Sequence, residues 1–259
     1  LGHAEIRCAR CEEYLQESGC ADLIFMDPAR RDGAGRKTVL LEDCTPCVTT
    51  MLTDLLGRCR YLLLKLSPML DIHAALKTLK NVCEVHVVSV DGECRELLLL
   101  LDARECRQVN FHCVNLGRKP NCIVVEDMNH VVSVAVDGPS TYLYEPNASV
   151  LKAGVQDALC GRFGVEKLHR NSNLFTSAQL VEDFPGRAFC VRSCFDFSKQ
   201  SLKALQLQVR KANLTVRNFP STVDQLRKRL KLKEGGDVYL FATTLADESH
   251  VLVQCEKAE

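Results

Sequence analysis

The chain has 259 residues, of which 46% are hydrophobic and 25% charged, so a disordered or collagen-like chain is excluded. Its 33 basic and 33 acidic residues give a net charge of zero, which excludes a globally basic nucleic-acid-binding protein. No apolar run approaches the roughly 18 residues of a membrane helix, and the given sequence does not open with a basic and then apolar signal segment. We therefore expect a cytoplasmic protein without a membrane partner, whose sequence starts inside a longer chain.

Cysteine is frequent, with 15 residues, whereas Trp is absent. Without a secretion signal, a chain of this length is expected to keep its thiols reduced. Cys8 with Cys11, and Cys44 with Cys47, have C-x-x-C spacing, and four thiolates could hold zinc if the two pairs met in space. Because cysteine also occurs freely in strand-like runs, we expect small apolar fillers and no metal site. A cysteine-ligated metal protein stays the alternative.

The first part of the chain alternates apolar strands with amphipathic helices, which is typical of a parallel sheet. Strands are predicted at His3–Ala9, Ala21–Met26, Tyr61–Leu66, Val85–Val90 and Glu96–Leu101, and helices at Cys11–Ser18, Pro46–Gly57 and Ile72–Leu79. The turn Asp91-Gly92-Glu93 predicts a hairpin between the last two strands. We expect this hairpin to add an antiparallel edge to the sheet, and a less regular, β-rich stretch to follow over Val109–Val136.

The second part of the chain has the pattern of a smaller α+β region. Asn147 is predicted to cap a helix over Ala148–Leu159, and a helical turn is predicted over Ser177–Asp183. The remaining predicted elements are a helix over Leu202–Lys211, a strand over Leu214–Phe219, a helix over Thr222–Leu230, and a hairpin of Val238–Thr243 with His250–Gln254.

Charge is distributed unevenly along the chain. Residues 1–106 contain 13 basic and 17 acidic residues, whereas residues 187–259 contain 13 basic and 8 acidic ones. Between Lys199 and Lys233 there are ten basic residues and a single acid, Asp224. Such asymmetry is typical of a tethered nucleic-acid-binding module, and the alternative is a solvated basic helix face. The contacts that we predict from this stretch are Arg210, Lys211, Arg227, Lys228 and Arg229.

The strand that ends at Met26 is followed at once by Asp27, Pro28, Ala29 and two arginines. An acid and a proline at the carboxyl end of a parallel strand stand where open α/β folds bind ligands. The carboxylate can accept a hydrogen bond from an amine or help hold a cationic cofactor, and proline leaves the preceding carbonyl free. The arginines suit a polyanion. The alternative is a turn that ends the strand and caps a helix.

These residues resemble motif IV and its following loop in class I S-adenosylmethionine-dependent methyltransferases. The resemblance is closer to the bacterial methyltransferases called THUMP-like domain-containing. The strings that carry it run through the chain in order: Asp27-Pro-Ala-Arg-Arg31, Gly35-Arg-Lys37, Asp43-Cys-Thr-Pro46, Lys65-Leu-Ser-Pro-Met-Leu-Asp71, Glu93-Cys-Arg-Glu96, Tyr142-Leu-Tyr-Glu-Pro-Asn-Ala148, Lys152-Ala-Gly154, Asn171-Ser-Asn-Leu-Phe-Thr-Ser177, Phe184-Pro-Gly-Arg187 and Asp237-Val-Tyr-Leu-Phe-Ala-Thr243.

The resemblance implies an α/β fold in three parts: a partial Rossmann-like methyltransferase sheet with a β-rich extension over residues 1–136, a ferredoxin-like segment over 137–188, and a basic α+β THUMP-like domain over 189–259. It implies S-adenosylmethionine as the cofactor of the full-length protein. It also implies RNA (tRNA or rRNA) as the partner, because THUMP domains in general bind RNA. The Gly-rich cofactor loop and the acid that ends the second strand in that family have no counterpart in this sequence, so the resemblance implies that the strands from His3 onward correspond to the third to seventh strands of that fold.

The resemblance also implies site residues. Asp27, Pro28 and Arg30 stand at the catalytic positions, where an acid and a backbone carbonyl orient the target nitrogen of a nucleobase in the amine methylases. Ala29 and Arg30 replace the second proline and the aromatic residue of that motif. The implied cofactor contacts are Cys11, Glu12, Asp27 and Lys65, the alternative for Lys65 being a salt bridge; the implied RNA contacts of the loop are Arg31, Arg36 and Lys37.

Cys94 is a further candidate, because the Asp-Pro-x-Arg pattern is also similar to that of pyrimidine C5 methylases, which use a cysteine nucleophile. The adjacent Arg95 would favour the thiolate, and the alternative is a packing residue of the hairpin. Together these features predict an RNA nucleobase methyltransferase without an obligate protein partner. The alternative is a non-catalytic RNA-binding module.

Overall fold

The structure is a computed structural model that describes residues 4–17, 19–29, 41–42, 44–104, 106–117, 119–126 and 135–258. The chain divides into two compact units, Leu1–Asp127 and Met128–Glu259. Within the described ranges, no helix has both the length and the apolar character needed to cross a lipid bilayer. The division between the units falls nine residues before the expected boundary after residue 136.

The first unit is built on a six-stranded mixed sheet. Its elements are α1 (Cys11–Glu17), β1 (Ala21–Met26), α2 (Val48–Arg58), β2 (Cys59–Leu66), α3 (Ile72–Thr78), β3 (Val82–Val90), β4 (Glu93–Asp102), β5 (Asn110–Leu116) and β6 (Asn121–Glu126). The strands lie in the order β1-β2-β4-β3-β5-β6. The pairs β1 with β2 and β3 with β5 are parallel, and β4 and β6 run antiparallel to their neighbours. The expected α/β class is therefore confirmed.

The predicted hairpin forms, but its place in the sheet was predicted wrongly. Asp91 and Gly92 have φ angles of 49° and 82°, which is the backbone of a two-residue hairpin turn between β3 and β4. We expected the antiparallel strand at the edge, whereas β4 lies between β2 and β3. Leu97, Leu99 and Leu101 of β4 are completely buried. Three apolar side chains on one face of a strand bury more surface in the interior of a sheet than at its edge, so the interior position of β4 is more stable.

The strand predicted at His3–Ala9 is wrong for the residues that the structure describes. Residues 4–9 contain no strand, and Ile6, an apolar residue of this stretch, is 94% exposed. Arg7 instead makes a surface ion pair with Glu5 at 2.7 Å. A strand requires a hydrogen-bonding partner, and the local alternation of residues cannot supply one.

The sheet of the first unit has one buried face and one half-exposed face, because successive side chains of a strand point to opposite sides. The buried face is formed by alternate residues of four strands: Leu62, Leu64, Val85, Val87, Leu97, Leu99, Phe111 and Cys113. Helices α2 and α3 add Val48, Leu55 and Ile72 to the core of this unit. The opposite face carries polar side chains as well as leucines.

The second unit is built on a seven-stranded sheet in the order β11-β12-β13-β10-β7-β9-β8. Its elements are β7 (Tyr142–Pro146), α4 (Ala148–Ala153), α5 (Ala158–Phe163), β8 (Glu166–Lys167), β9 (Phe175–Ser177), β10 (Gly186–Asp196), α6 (Lys199–Gln208), β11 (Lys211–Arg217), α7 (Val223–Leu230), β12 (Lys233–Thr244) and β13 (His250–Lys257). Only the β11–β12 pair among these strands is parallel. The helices of the carboxyl-terminal part pack Leu202, Leu205, Leu226 and Leu230 into one apolar cluster with Leu240.

The single helix predicted over Ala148–Leu159 is two short helices. Gly154 ends α4 with a left-handed φ of 74°, a conformation that glycine adopts without steric cost. Asn147 is the residue before α4, as predicted, but its side chain makes no capping hydrogen bond. The helical turn predicted over Ser177–Asp183 is also wrong, since these residues contain the end of β9 and turns.

A buried carboxylate ties three strands of the second unit together. The Glu145 side chain of β7 is 5% exposed, and Arg187 lies directly opposite it on β10. Arg187 donates from Nε to Oε2 at 3.0 Å, and Arg217 of β11 donates from Nη2 to Oε1 at 2.7 Å. A buried charge is tolerated only when it is paired and hydrogen-bonded, so these contacts fix where β7 and the end of β11 lie.

We expect Glu145→Ala to lower the free energy of unfolding of the second unit by about 2 kcal/mol or more, because it removes charge-assisted hydrogen bonds and leaves a space among buried side chains. Urea unfolding followed by hydrogen exchange of peptides from β7 and β10 measures this unit specifically. The exposed Glu182 provides the control, and Glu182→Ala should change stability by less than about 0.5 kcal/mol. Equal stability of the two variants would contradict the role given to Glu145.

Candidate functional site

Two of the predicted site residues meet at the carboxyl ends of the parallel strands β1 and β2. Asp27 follows β1 directly, and Lys65 is the penultimate residue of β2. Lys65 Nζ donates to Asp27 Oδ2 at 2.8 Å and lies 3.9 Å from Glu96 Oε2 of β4. Asp27 and Lys65 keep 43% and 29% of their side chains exposed, so a ligand can reach them. The same geometry also satisfies the salt-bridge alternative for Lys65.

The chain leaves β1 through a fixed backbone segment. Pro28 is buried, and Ala29 forms a bridge with Thr45 in which each residue donates its N–H to the other's carbonyl, at 2.7 and 3.0 Å. This bridge fixes the direction of the backbone next to Asp27. The predicted site residues Arg30, Arg31, Arg36 and Lys37 lie outside the described residues.

The predicted cofactor contacts of α1 lie beside an apolar groove. Cys11 lines a groove of about 240 Å³ together with Tyr14, Phe25 and Met26, the last of which directly precedes Asp27. Burial raises the pKa of the Cys11 thiol, and the neighbouring Glu12 carboxylate raises it further. Glu12 is exposed in the first turn of α1. The groove therefore offers an apolar surface that extends along β1 to the residue before Asp27.

The geometry around Cys94 favours a packing role over nucleophilic chemistry. Cys94 lies opposite Ser89 across the β3–β4 hairpin and is half-buried. Arg95, which would favour a thiolate, binds Glu93 instead, with Nη2 2.7 Å from Oε2. The cation is therefore already neutralised by a carboxylate two residues away.

The C-x-x-C pairs do not form a metal cluster in the described part of the chain. The described residues hold one group of three possible ligands, and no cysteine belongs to it. Cys11 instead lies 4.0 Å from Met51, and Cys47 lies 3.2 Å from the hydroxyl of Thr49, both distances measured from Sγ. The described cysteines form no disulfide bonds with one another.

The predicted nucleic-acid contacts of the second unit fall into two groups. Arg210 and Lys211 stand at the start of β11, where Lys211 is paired with Lys233 of β12. The Lys233 N–H donates to the Arg210 carbonyl at 3.0 Å, so cations of two strands are brought to one end of the sheet. Lys211, Lys233 and Arg210 are all exposed. The acids nearest in sequence to Lys233 are Glu234 and Asp237.

The other three cations lie in the last turn of α7. Lys228 and Arg229 are exposed, whereas Arg227 is half-buried and lies 3.7 Å from Glu234. The Arg229 guanidinium stacks over the Phe197 ring at 4.3 Å. Cations in the last turn also stabilise a helix through its dipole, which is the structural alternative for this group.

A polar network surrounds His169, which no short-range sequence pattern indicates. The buried imidazole accepts hydrogen bonds at Nδ1 from the Asn171 N–H at 3.0 Å and from Asn218 Nδ2 at 2.9 Å. Its Nε2 therefore donates, and it faces Glu248 Oε1 at 3.2 Å. His169 stands two residues before the string Asn171–Ser177, but Asn218 and Glu248 lie far along the chain and outside the strands, so they give no local signal.

Three comparisons place these features among known proteins. A family model described as a ferredoxin-like domain matches residues 142–185, and one described as a THUMP domain-like family matches residues 186–257. No curated protein matches the chain. The chain is similar to the crystal structure of a "putative methyltransferase" from Porphyromonas gingivalis W83, with 36% identity over 96% of this chain and a TM-score of 0.84.

The matched segments confirm the ferredoxin-like and THUMP-like parts of the expected fold. Strands from both segments pair in one sheet, because β7 of the first lies against β10 of the second. The chain spans 63% of the length of the Porphyromonas gingivalis protein, so that protein has more than a third of its length outside this similarity.

The thiols should differ in reactivity according to their surroundings. The Thr49 hydroxyl lowers the pKa of the Cys47 thiol, whereas burial raises the pKa of Cys113 and of Cys255 to about 12. A lower pKa gives a larger thiolate fraction at pH 7.5. We expect iodoacetamide to label Cys47 at least tenfold faster than the two buried thiols, as measured by peptide mass spectrometry. In Thr49→Val the labelling of Cys47 should slow, and an unchanged rate would contradict this explanation.

Proposed function

We propose that this chain is part of an S-adenosylmethionine-dependent methyltransferase that modifies a nucleobase of RNA. The observation that carries the proposal is the similarity to the Porphyromonas gingivalis protein, which extends over 96% of this chain with a TM-score of 0.84. The chemistry is supported by the position of Asp27 at the carboxyl end of β1, where open α/β sheets bind their ligands. The RNA substrate is supported by the THUMP domain-like match over residues 186–257.

In this proposal Asp27 orients the target base. Its carboxylate accepts a hydrogen bond from the nitrogen that receives the methyl group, and its carbonyl, which precedes Pro28, offers a second acceptor. Lys65 holds the carboxylate in place through the 2.8 Å contact. Two acceptors at fixed positions align the nitrogen lone pair for displacement, and such alignment lowers the activation barrier.

The described residues fit part of a cofactor site. Asp27 offers a negative charge for a cationic group, Lys65 offers a positive charge for a carboxylate, and the groove beside Cys11 and Met26 offers an apolar surface. S-adenosylmethionine, when bound, would supply an electrophilic methyl group on its sulfonium. Glu12 completes the proposed set as an exposed carboxylate at the start of α1, available to a hydroxyl or amino group.

The second unit would hold the RNA. Four of the proposed contacts are exposed, namely Arg210, Lys211, Lys228 and Arg229. The fifth, Arg227, is half-buried and lies in the last turn of α7 with Lys228 and Arg229. Cations that contact phosphates supply affinity without sequence information. We therefore assign these residues to backbone binding, and we assign recognition of the target base to the first unit.

The alternative is a non-catalytic RNA-binding module. It is supported by the THUMP domain-like match over residues 186–257, which suits RNA binding with or without catalysis. Calorimetric titration with S-adenosylmethionine distinguishes the methyltransferase from the non-catalytic RNA-binding module. It is carried out on this chain and on a version extended by the sequence encoded upstream. Binding to the extended version supports the methyltransferase, and no binding to either version leaves the RNA-binding module.

Asp27→Asn should reduce methyl transfer at least 100-fold and leave RNA affinity within about twofold, because the amide no longer accepts like a carboxylate. Methyl transfer is measured as the transfer of a radiolabelled methyl group to total RNA by the version of the chain that binds S-adenosylmethionine. RNA affinity is measured in a filter-binding assay. Asp22 lies on β1, the strand that Asp27 follows, and is exposed, so Asp22→Asn is the control. Turnover of Asp27→Asn at the control rate would remove Asp27 from the site.

Reversing two exposed charges should weaken RNA binding. We expect Lys228→Glu with Arg229→Glu to lower RNA affinity at least tenfold at low salt and to reduce the slope of log affinity against log salt, since each phosphate contact adds about 0.7 to 0.9 to that slope. Lys77→Glu with Lys80→Glu, at two exposed positions of the first unit, makes the same change in net charge and is the control. If both double variants bind RNA as the wild type does, the end of α7 is not the RNA contact.

A further inference from the structure

A cluster of ligand-type side chains lies on the half-exposed face of the first unit's sheet. Glu84 and His86 belong to β3, and His112 belongs to β5. His86 and His112 are direct partners in the parallel register of these strands. Glu84 precedes His86 by two residues, so all three side chains project from the same face of the sheet.

The ligand atoms of these three residues converge. Glu84 Oε2 lies 2.7 Å from His86 Nε2 and 3.7 Å from His112 Nε2. The three atoms all lie within 4.8 Å of one another. The imidazole rings are stacked, with centroids 4.3 Å apart and an angle of 11° between their planes, so both Nε2 atoms face the same carboxylate.

One atom of the cluster lacks the partner that its burial requires. His112 Nε2 is buried without a hydrogen bond, although nearly all buried polar atoms have a partner. Leu98 of β4 lies opposite His86, and Val124 of β6 lies opposite His112. Apolar neighbours on both sides of the cluster lower the local dielectric, which makes an unsatisfied nitrogen costly and a bound ion more tightly held.

We propose that Glu84, His86 and His112 bind a divalent transition-metal ion, and that Zn²⁺ fits this donor set best. Two imidazole nitrogens and one carboxylate oxygen suit zinc, whereas magnesium and calcium take oxygen ligands. Zinc–ligand bonds of about 2.0–2.2 Å place neighbouring ligand atoms of a tetrahedron roughly 3.3 Å apart. The contacts from Glu84 Oε2 to the two imidazole nitrogens, at 2.7 and 3.7 Å, bracket that separation.

Three protein ligands leave one tetrahedral position for water or for an external ligand. The ligands belong to adjacent strands, which hold their backbone positions fixed, so small side-chain rotations complete the site. The inference does not depend on the proposed methyltransferase activity, because none of its residues belongs to the Asp27–Lys65 pair.

The test is calorimetric titration of ZnCl₂ into the chelator-treated chain. We expect one Zn²⁺ per wild-type chain, and an affinity at least about 100-fold weaker in His86→Gln and in His112→Gln, because each loses a direct ligand. Glu84→Gln keeps the side-chain shape and should also weaken binding. The exposed His73 of α3 is the matched control, and His73→Gln should bind as the wild type does.

The absorption spectrum of bound Co²⁺ distinguishes a metal held by this site from a metal held by the cysteine thiolates of the chain. A first equivalent of Co²⁺ held by nitrogen and oxygen should give weak visible bands without the intense near-ultraviolet band of a thiolate complex. Circular dichroism checks that each variant is folded. The proposal is overturned by a wild-type chain that binds no Zn²⁺, by equal affinity in the folded double variant of His86 and His112, or by a thiolate band with the first equivalent.

Discussion

The pairing of β7 with β10 is the constraint on which the second unit depends. It joins the segment that matches a ferredoxin-like domain to the segment that matches a THUMP domain-like family in one continuous sheet. Glu145 and Arg187 stand opposite each other in this pair, and Arg217 binds the same carboxylate from β11. The carboxylate is buried, so its two cationic partners must be in place for the pairing to be stable. The two matched segments therefore form one structural unit rather than independent domains.

In the first unit the corresponding constraint is the interior position of β4. Its buried leucines fill the sheet between β2 and β3. As a result, Glu96 of β4 comes within 3.9 Å of Lys65, and Leu98 is placed opposite His86. One strand thus borders both the Asp27–Lys65 pair and the proposed metal site, although the two sites share no ligand.

The ion pairs of the chain differ in how far their side chains are exposed to solvent. Asp27 and Lys65 are half-exposed, so each can contact a ligand while the two remain paired, and an ion pair in contact with water contributes little to the stability of the fold. Lys167 has the opposite surroundings: its side chain is 1% exposed, and Nζ donates to Asp157 at 2.6 Å and to the Arg170 carbonyl at 2.7 Å. Such a lysine supports the fold, whereas the Asp27–Lys65 pair is suited to binding.

Short stretches of the chain were enough to predict its local features, which are the turn at Asp91-Gly92, the helix that ends at Leu230, the acid that follows β1, and the uneven charge. Each depends on residues close together in the chain. Other features became visible only in the folded protein: β4 is an interior strand, residues 4–9 form no strand, Arg217 binds Glu145 from 72 residues away, and His112 lies against His86. These contacts depend on strand order and register, which are set by the burial of whole faces, and no short-range pattern of residues contains that information.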